Sequence, residues 1–311
     1  MTDLTSPIFR DEDKAREHFE MLRWPNGAYC PRCGSTDVTR MSGRTVRAGL
    51  HLCNACRGQF SVTMGSVMER SHIALTKWAL GFHLMAASKK GVSAHQLHRM
   101  LNITYRSAWF MAHRIREAMD ESGNGPLGGE GQTIEADEVY VGPGNYVFHN
   151  DKGWMKEMGT GGKAKVLTLV ERGGRARSIK VESLAATNVS RIILANADTA
   201  STPHTDEARF YPRIGRSFAA HETVEHGAKE YVRGAVTTNT VEGFFGLFRR
   251  GMKGIYQHCS EKHLQRYFHE FDFRYSNRIA LGVDDTERTH RAIKGAAGKR
   301  LMYNQPGFAR A

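Results

Sequence analysis

Two sets of side chains in this sequence have the types and spacing to do chemistry. The first is thiol: Cys30 and Cys33 in CPRC, then, after nineteen residues, Cys53 and Cys56 in CNAC. A turn of this kind presents two thiolates to one ion. Two such turns close a tetrahedral cage with no open position, the pattern of a structural Zn2+ site. A pair of redox motifs is the poorer reading, because no βαβ unit surrounds either one.

The second set is carboxylate. Asp137 lies with Glu135 and Glu138 in TIEADEVYV (residues 133–141), a strand-like run with every reason to be apolar. A charge planted there costs desolvation unless it is paired or binds a cation. Asp206 follows 69 positions later in PHTDEARFY, and Glu242 another 36 on in TTNTVEGFFGLFRRGMKG. Hard divalent cations take oxygen ligands, and phosphoryl transfer on nucleic acids commonly uses two Mg2+ ions about 4 Å apart, held by a few carboxylates. Asp137, Asp206 and Glu242 are therefore candidates for Mg2+ or Mn2+ ligation. Arg249, Arg250 and Lys253 line the Glu242 helix for phosphates. His258, Cys259, His263 and His269 invite a further metal site, but Leu264, Tyr267, Phe268, Phe271 and Phe273 around them read as core, and Cys259 as a buried thiol.

The elements that must carry these groups follow from periodicity. Ser6-Pro7 opens a helix whose partial apolar stripe (Phe9, His18, Phe19, Met21, Leu22) ends at residues 24–27. Alternation over 45–52 and 59–62 predicts strands of a small sheet around the cysteines. Helical spacing then takes over at 75–88, 93–101 and 106–119, with Leu97, Met100 and Leu101 facing Ile103, Trp109, Met111 and Ile115 across Asn102-Ile103-Thr104. Two helices joined so tightly are the outline of a helix-turn-helix. SGNGPLGGEGQ (122–132) reads as a flexible linker or domain boundary. Beyond it come the 133–141 strand, a polar loop with six glycines over 142–162, and a hairpin turning at Gly173-Gly174. A helix over 183–196, a short strand ending at Asp206, a helix carrying Phe210 and Tyr211, a strand over 217–221 and helices over 241–252 and 264–275 complete a mixed α/β domain.

The chain has 311 residues, and its 44 Lys and Arg against 32 Asp and Glu give a formal charge of +12. That surplus favours a polyanionic partner, nucleic acid first. It is concentrated where binding is expected: Arg32, Arg40, Arg44, Arg47 and Arg57 face only Asp37 between Cys30 and Phe60. Seven Lys or Arg face only Glu117 between Ser71 and Met119, and Arg106, Ser107 and Arg114 lie on or near the expected recognition helix behind Tyr105. No run approaches the about 18 apolar residues of a membrane span, residues 1–10 are too polar for a signal peptide, and five cysteines are no secreted disulfide framework. The chain is expected in the cytoplasm, associated with the nucleoid, with no membrane partner.

The sequence resembles the bacterial insertion-sequence transposases of the DDE type with an N-terminal zinc ribbon, the ISXO-like insertion-sequence fifteen-ninety-five family. The resemblance rests on YCPRCGS, CNACRGQFSVTMGSVM, IEADEVYVG, TDEARFY and above all TNTVEGFFGLFRRGMKGIYQHCSEKHLQRYFHEFDFRYSNR (238–278), and it spans roughly Phe19 to Leu301. It implies an RNase H-like catalytic core with the first aspartate on the first strand, the second near the fourth strand and the third acid on a following helix. By motif these are Asp137, Asp206 and Glu242, with Asp198 a rival for the second position and Asn239 for the third. The implied organisation is a helix and zinc ribbon over 1–66, a helix-turn-helix over 67–122, a linker over 123–132, the RNase H-like mixed-sheet core over 133–280 and a tail over 281–311. The implied activity is metal-dependent cleavage and strand transfer at terminal inverted repeats of double-stranded DNA, by a homo-oligomer on DNA. DNA-contact candidates are Arg44, Arg47, Arg106, Arg114, Arg249, Arg250 and Lys253. Two alternatives stay open: a DNA-binding regulator with an inactive RNase H-like domain, and a nuclease of the same fold acting on branched or RNA-containing substrates.

Overall fold

A computed structural model describes residues 3–142, 146–151, 153–156 and 159–302. The chain divides into two compact units: one of residues up to Asp120 together with those from Arg278 on, the other Glu121–Asn277.

In the first unit, helix α1 (Glu12–Arg23) starts at Asp11, whose carboxylate accepts the Asp13 and Lys14 amides. The cap is thus Asp11 and not Ser6, which opens only a short 3-10 turn, Pro7–Phe9, with no side-chain cap. Strands β1 (Val38–Arg40), β2 (His51–Cys53) and β3 (Gln59–Phe60) form a small antiparallel sheet. The strand expected over 45–52 shrinks to its last residues, because Gly43 and Gly49 have positive φ and turn the chain before it. Trp24 stands edge-on to His51 and Phe60, and the Arg23 guanidinium is held by the carbonyls of Val62, Met64 and Gly65.

Helices α2 (Leu75–Ala87), α3 (Ala94–Leu101) and α4 (Tyr105–Ala118) fall close to the expected spans. Ser93 caps α3 through the Gln96 amide, Asn102 is left-handed at φ 47°, and Thr104 caps α4 through the Ser107 amide. The three-residue connection is thus built from one C-terminal and one N-terminal stop signal. Leu97, Leu101, Met111 and Ile115 are buried as expected, whereas Met100 is exposed. Residues from 281 on, read as a tail, include the helix Asp285–Lys294, which buries Ala292 and Ile293.

The second unit carries a five-stranded mixed sheet. Its strands are β4 (Thr133–Val141), β7 (Ala164–Glu171), β8 (Ala176–Val181), β9 (Thr202–Thr205) and β10 (Glu222–Thr223), in the order β10-β9-β4-β7-β8. β4 is central, antiparallel to β7 and parallel to β9. The glycine-rich loop over 142–162 holds a separate hairpin, β5 (Tyr146–His149) with β6 (Gly153–Lys156); its residues 143–145, 152 and 157–158 lie outside the described residues. The strand expected over 217–221 is a turn, and the chain pairs only afterwards, as β10.

Alternation along β4 and β7 loads both faces. Ile134, Ala136, Leu167 and Leu169 pack with helices α5 (Ala186–Asn196) and α6 (Tyr211–Gly215) through Val189, Ile193, Tyr211 and Ile214. On the other face Val139, Val166 and Val170 pack with helices α7 (Asn239–Gly251) and α8 (Leu264–Ser276) through Val241, Phe244, Phe248, Phe268 and Phe271. Phe248 and Phe268 stack at 4.1 Å. A last hairpin, β11 (Val232–Arg233) with β12 (Val236–Thr237), leads into α7.

The run read as a flexible linker or domain boundary begins beside the division between the two units, at Asp120, but as a linker it is tied down. Leu127 is buried and bridges Ala197, the Gly128 amide donates to Glu171, the Gly129 amide to Ser201 Oγ, and Arg175 and Arg177 bind the carbonyls of Asn124, Gly125 and Pro126. Composition alone misjudges it, because its glycines serve close approach rather than freedom. A Cβ on Gly128, at φ +85°, would lie 2.1 Å from Ser201 Oγ, whereas one on Gly123 would meet nothing within 4 Å. Gly128→Ala is therefore expected to cost more than about 1 kcal/mol, and Gly123→Ala to stay within about 0.5 kcal/mol of the parent, in urea unfolding followed by circular dichroism.

Candidate active site and metal centre

The two cysteine pairs sit on knuckles of the small sheet. The residue after each pair is left-handed, Gly34 at φ 77° and Arg57 at φ 58°, which folds the Gly34 amide back onto the Cys30 carbonyl and lets the Cys53 amide reach Gly58. Cys30 and Cys53 are buried, Cys33 and Cys56 exposed. Cys30 and Cys56 sulfurs lie 3.6 Å apart, as do those of Cys33 and Cys53, and all four lie within 4.8 Å of one another. Zn–S bonds of about 2.3 Å in a tetrahedron imply sulfurs about 3.8 Å apart. The donor set therefore fits a structural Zn2+ in chemistry and in size.

The carboxylates are placed by three different elements. Asp137, opposite Thr168 on β4, alternates with Glu135 and Val139 and so faces the α7 side of the sheet. Asp206 comes directly after the end of β9 and accepts the Ala208 amide at 3.0 Å. Glu242 lies in the first turn of α7, its side chain 45% exposed, with His226 Nε2 3.8 Å from its Oε1.

Asp137 senses both of the others. Burial pushes its carboxyl up to about 7; the Glu138 amide, at 2.6 Å, works against that, Asp206 and Glu242 add to it as like charges, and His226 opposes. Glu138 faces the other way and takes a hydrogen bond from the buried Tyr211 hydroxyl. Burial pushes it up to about 8, the Tyr211 bond lowers it, and Asp137 and Asp206 raise it. Among the described residues the three acids are not gathered within 4.8 Å as the thiols are. What links them is the field at Asp137: burial first, and the like charges of Asp206 and Glu242 after it, favour a proton there near neutrality.

Asp198 accepts the Ala200 amide at 2.9 Å in the turn before β9, and Asn239 is the first residue of α7, its amide donating to Thr237 Oγ1.

Residues 10–59 match the family model described as the transposase zinc-ribbon domain, and residues 126–276 match the ISXO2-like transposase domain. The chain belongs to the IS1595 transposase family. It is also similar, at 29% identity over 279 residues, to a protein of Halobacterium salinarum described as an uncharacterized protein in transposable element ISH50; the similarity covers 86% of this chain and 91% of that one.

In this transposase-family chain the basic residues divide by exposure. Arg44, Arg47, Arg106, Arg249, Arg250 and Lys253 are exposed. Arg114 is half-buried with its guanidinium 4.5 Å from the Phe110 ring centroid, so packing takes up much of it. Cys259 is half-buried, with its thiol on the Ser260 carbonyl, and takes part in no described metal group. The residues that sequence reasoning missed are Tyr211 and His226. Tyr211 carried a weak signal as an aromatic five residues after Asp206; His226, in a loop with no periodicity, carried none.

Chelation of Zn2+, or Cys33→Ser, is expected to release about one Zn2+ per chain and to unfold the ribbon, measured by metal analysis and near-ultraviolet circular dichroism. The acid site has a pH signature of its own. With folded values of about 7 and 8 against about 4 unfolded, Asp137 and Glu138 hold protons near pH 6 that the unfolded chain has lost, so stability is present at low pH and lost as pH rises through 7 to 8. The melting temperature without divalent cation should fall by several degrees between about pH 6 and pH 8.5, and Mg2+ should restore it only at the upper end.

Proposed function

We propose that the protein is a DNA transposase in which the zinc ribbon and a helix-turn-helix formed by α3 and α4 bind the ends of a mobile element, and an RNase H-like domain cuts and joins strands. The single observation that carries the catalytic reading is that Asp206 and Glu242, both remote from it in sequence, act as like charges on the partly buried Asp137. Support for the fold comes from counting strands within the sheet. β4 is the first, β9 the fourth, and α7 follows, so the acids stand on or beside the elements that the family pattern calls for.

Asp137, Asp206 and Glu242 would hold the catalytic Mg2+ or Mn2+. When bound, such ions activate the attacking hydroxyl and stabilise the leaving oxygen of an in-line displacement. The protein's own part is to fix and charge the site. Glu138 is kept away from Asp137 by its bond to Tyr211 on the opposite face, and Arg249, Arg250 and Lys253, two to three turns along from Glu242, meet phosphates beside the reacting one. Water is the first nucleophile and the freed 3′-hydroxyl the second, with no covalent enzyme intermediate.

For the helix-turn-helix, support lies in the three-residue connection and in Tyr105 and Arg106, both exposed at the start of α4, where a recognition helix meets base edges. A regulator with an inert domain has no use for three converging acids, and strand transfer separates the two readings.

Asp137→Asn is expected to cut Mg2+-dependent cleavage of element-end DNA by more than about 100-fold, beyond the range of outer-shell changes, while DNA affinity by gel shift stays within about twofold. Unchanged cleavage removes the proposed site. Affinity should also fall steeply with salt, each phosphate contact adding about 0.9 to the log–log slope, and Arg106→Ala should reduce that slope.

A further inference from the structure

Beside the three acids stands a second charge pair, Glu135 with Arg172, whose hydrogen bonds go to other partners. Glu135, on the same face of β4 as Asp137, has a side chain 0% exposed. Its Oε2 accepts the amides of Thr240 at 2.7 Å and Val241 at 3.0 Å, and its Oε1 the Thr240 hydroxyl at 2.8 Å and Arg172 Nε at 2.7 Å. Glu135 thus satisfies the orphan amides at the N-terminus of α7 from a remote strand.

Arg172 leaves the turn between β7 and β8, and its remaining nitrogens reach two more segments. Nη1 donates to the Ala235 carbonyl at 2.7 Å, Nη2 to the Thr237 carbonyl at 2.9 Å and to His204 Nδ1 at 3.2 Å. A guanidinium has no acceptor, so His204 Nδ1 accepts and its ring proton is on Nε2. Burial, then the Arg172 charge, holds His204 below its ordinary value, consistent with that neutral form.

The contacts have a common register. Asp137 comes two residues after Glu135, Asp206 two after His204, and Glu242 two after Thr240. The β4–β9 ladder ends at the pair Glu135–His204, so both aspartates project beyond the last rung, where backbone pairing no longer fixes their separation. The body of α7 is held by Val241, Phe244, Phe245 and Phe248, and such packing is non-directional. Among the described hydrogen bonds, those to Glu135 tie the first turn of α7 to the sheet in a fixed direction.

We propose that the Glu135–Arg172 pair is the positioning element of the acid site: it sets the separation of Asp137, Asp206 and Glu242 and thereby the affinity for divalent cation, without contacting cation or DNA. The inference rests on the reading of those acids as the cation-binding set. Lysine cannot replace the arginine, because a point ammonium reaches one segment where a planar fork with five donors reaches three. Glutamine cannot replace the glutamate, because one of its two heads is a donor turned against donors.

The test is titration of the full-length, zinc-loaded chain with Mn2+ alone, followed by electron paramagnetic resonance, for the parent, Asp137→Asn, Glu135→Gln, Arg172→Ala and Arg172→Lys, with folded fraction and zinc content measured on each sample. The expected result is on the order of 10- to 100-fold weaker Mn2+ binding by the folded fraction of Glu135→Gln and Arg172→Ala, and an intermediate loss for Arg172→Lys. A purely structural pair would lower melting temperature and leave the affinity of the folded fraction unchanged, and that outcome overturns the proposal. Should Glu135→Gln not fold, Arg172→Lys decides alone: parental affinity overturns the proposal and weakened affinity supports it. Parental Mn2+ binding that survives Asp137→Asn overturns the reading of the acids themselves, and the role of the pair with it.

Discussion

Ionised carboxylates on the central strand of a sheet covered on both faces are expensive, and most of what the second unit does can be traced to how that cost is met. β4 carries three within four residues. Removing an ion from water costs several kcal/mol even after relaxation, so each needs a cation, a set of amides or a proton. Glu135 has the first two, through Arg172 and the α7 amides. Glu138 has a hydroxyl donor and a strong tendency to hold a proton. Asp137 has one backbone amide and two like charges acting on it. Asp137 is left the least compensated of the three, although its neighbours show that the fold has the means to neutralise a carboxylate at this depth.

The surrounding architecture serves that arrangement. α7 must bring its N-terminus, not its flank, to β4, and the aromatic face of Phe244, Phe245 and Phe248 packed with Phe268 and Phe271 gives it an apolar bed. α8 is in turn keyed to the sheet edge by the buried Asp272, which accepts from the amide and hydroxyl of Ser178, while Gln265 pairs with β8 through Lys180 N and Ser178 O. Packing supplies most of the stability here, and the polar keys decide register.

How much of this was legible in the sequence depends on the range of the interaction. Local signals read well. The CxxC spacing located the thiol cage, the apolar period located α2 to α4 and α7, and alternation located β4 to the residue. Local signals also misled where one physical term was missing: the strand over 45–52 ignored what Gly43 and Gly49 do to the backbone, and the linker over 123–132 ignored that glycines also permit close packing. Asp137, Asp206 and Glu242 were chosen by type and by family resemblance, since nothing in their spacing states that β9 lies beside β4. Arg172 was invisible. It sits in a hairpin turn that reads as solvent-exposed, and its partners are 32 to 65 positions away. Long-range polar contacts leave no periodicity in a sequence.

A protein with a surplus of positive charge and a carboxylate-rich site must reconcile two opposite demands on the same polyanion. α7 shows one way this is done within a single element. Glu242 is in its first turn and Arg249 and Arg250 are in its last, so both ends complement the helix dipole and stabilise the helix on their own account. Seven residues at about 1.5 Å each put the opposing charges about 10 Å apart along the axis. That is close to the Debye length at physiological salt, so each end keeps a local field of its own sign. The basic end can hold a phosphate without cancelling the acidic end. On the proposed function, the acidic end would repel a phosphodiester until divalent cations screened it, and the backbone would be gripped beside the reacting position before that position was entered.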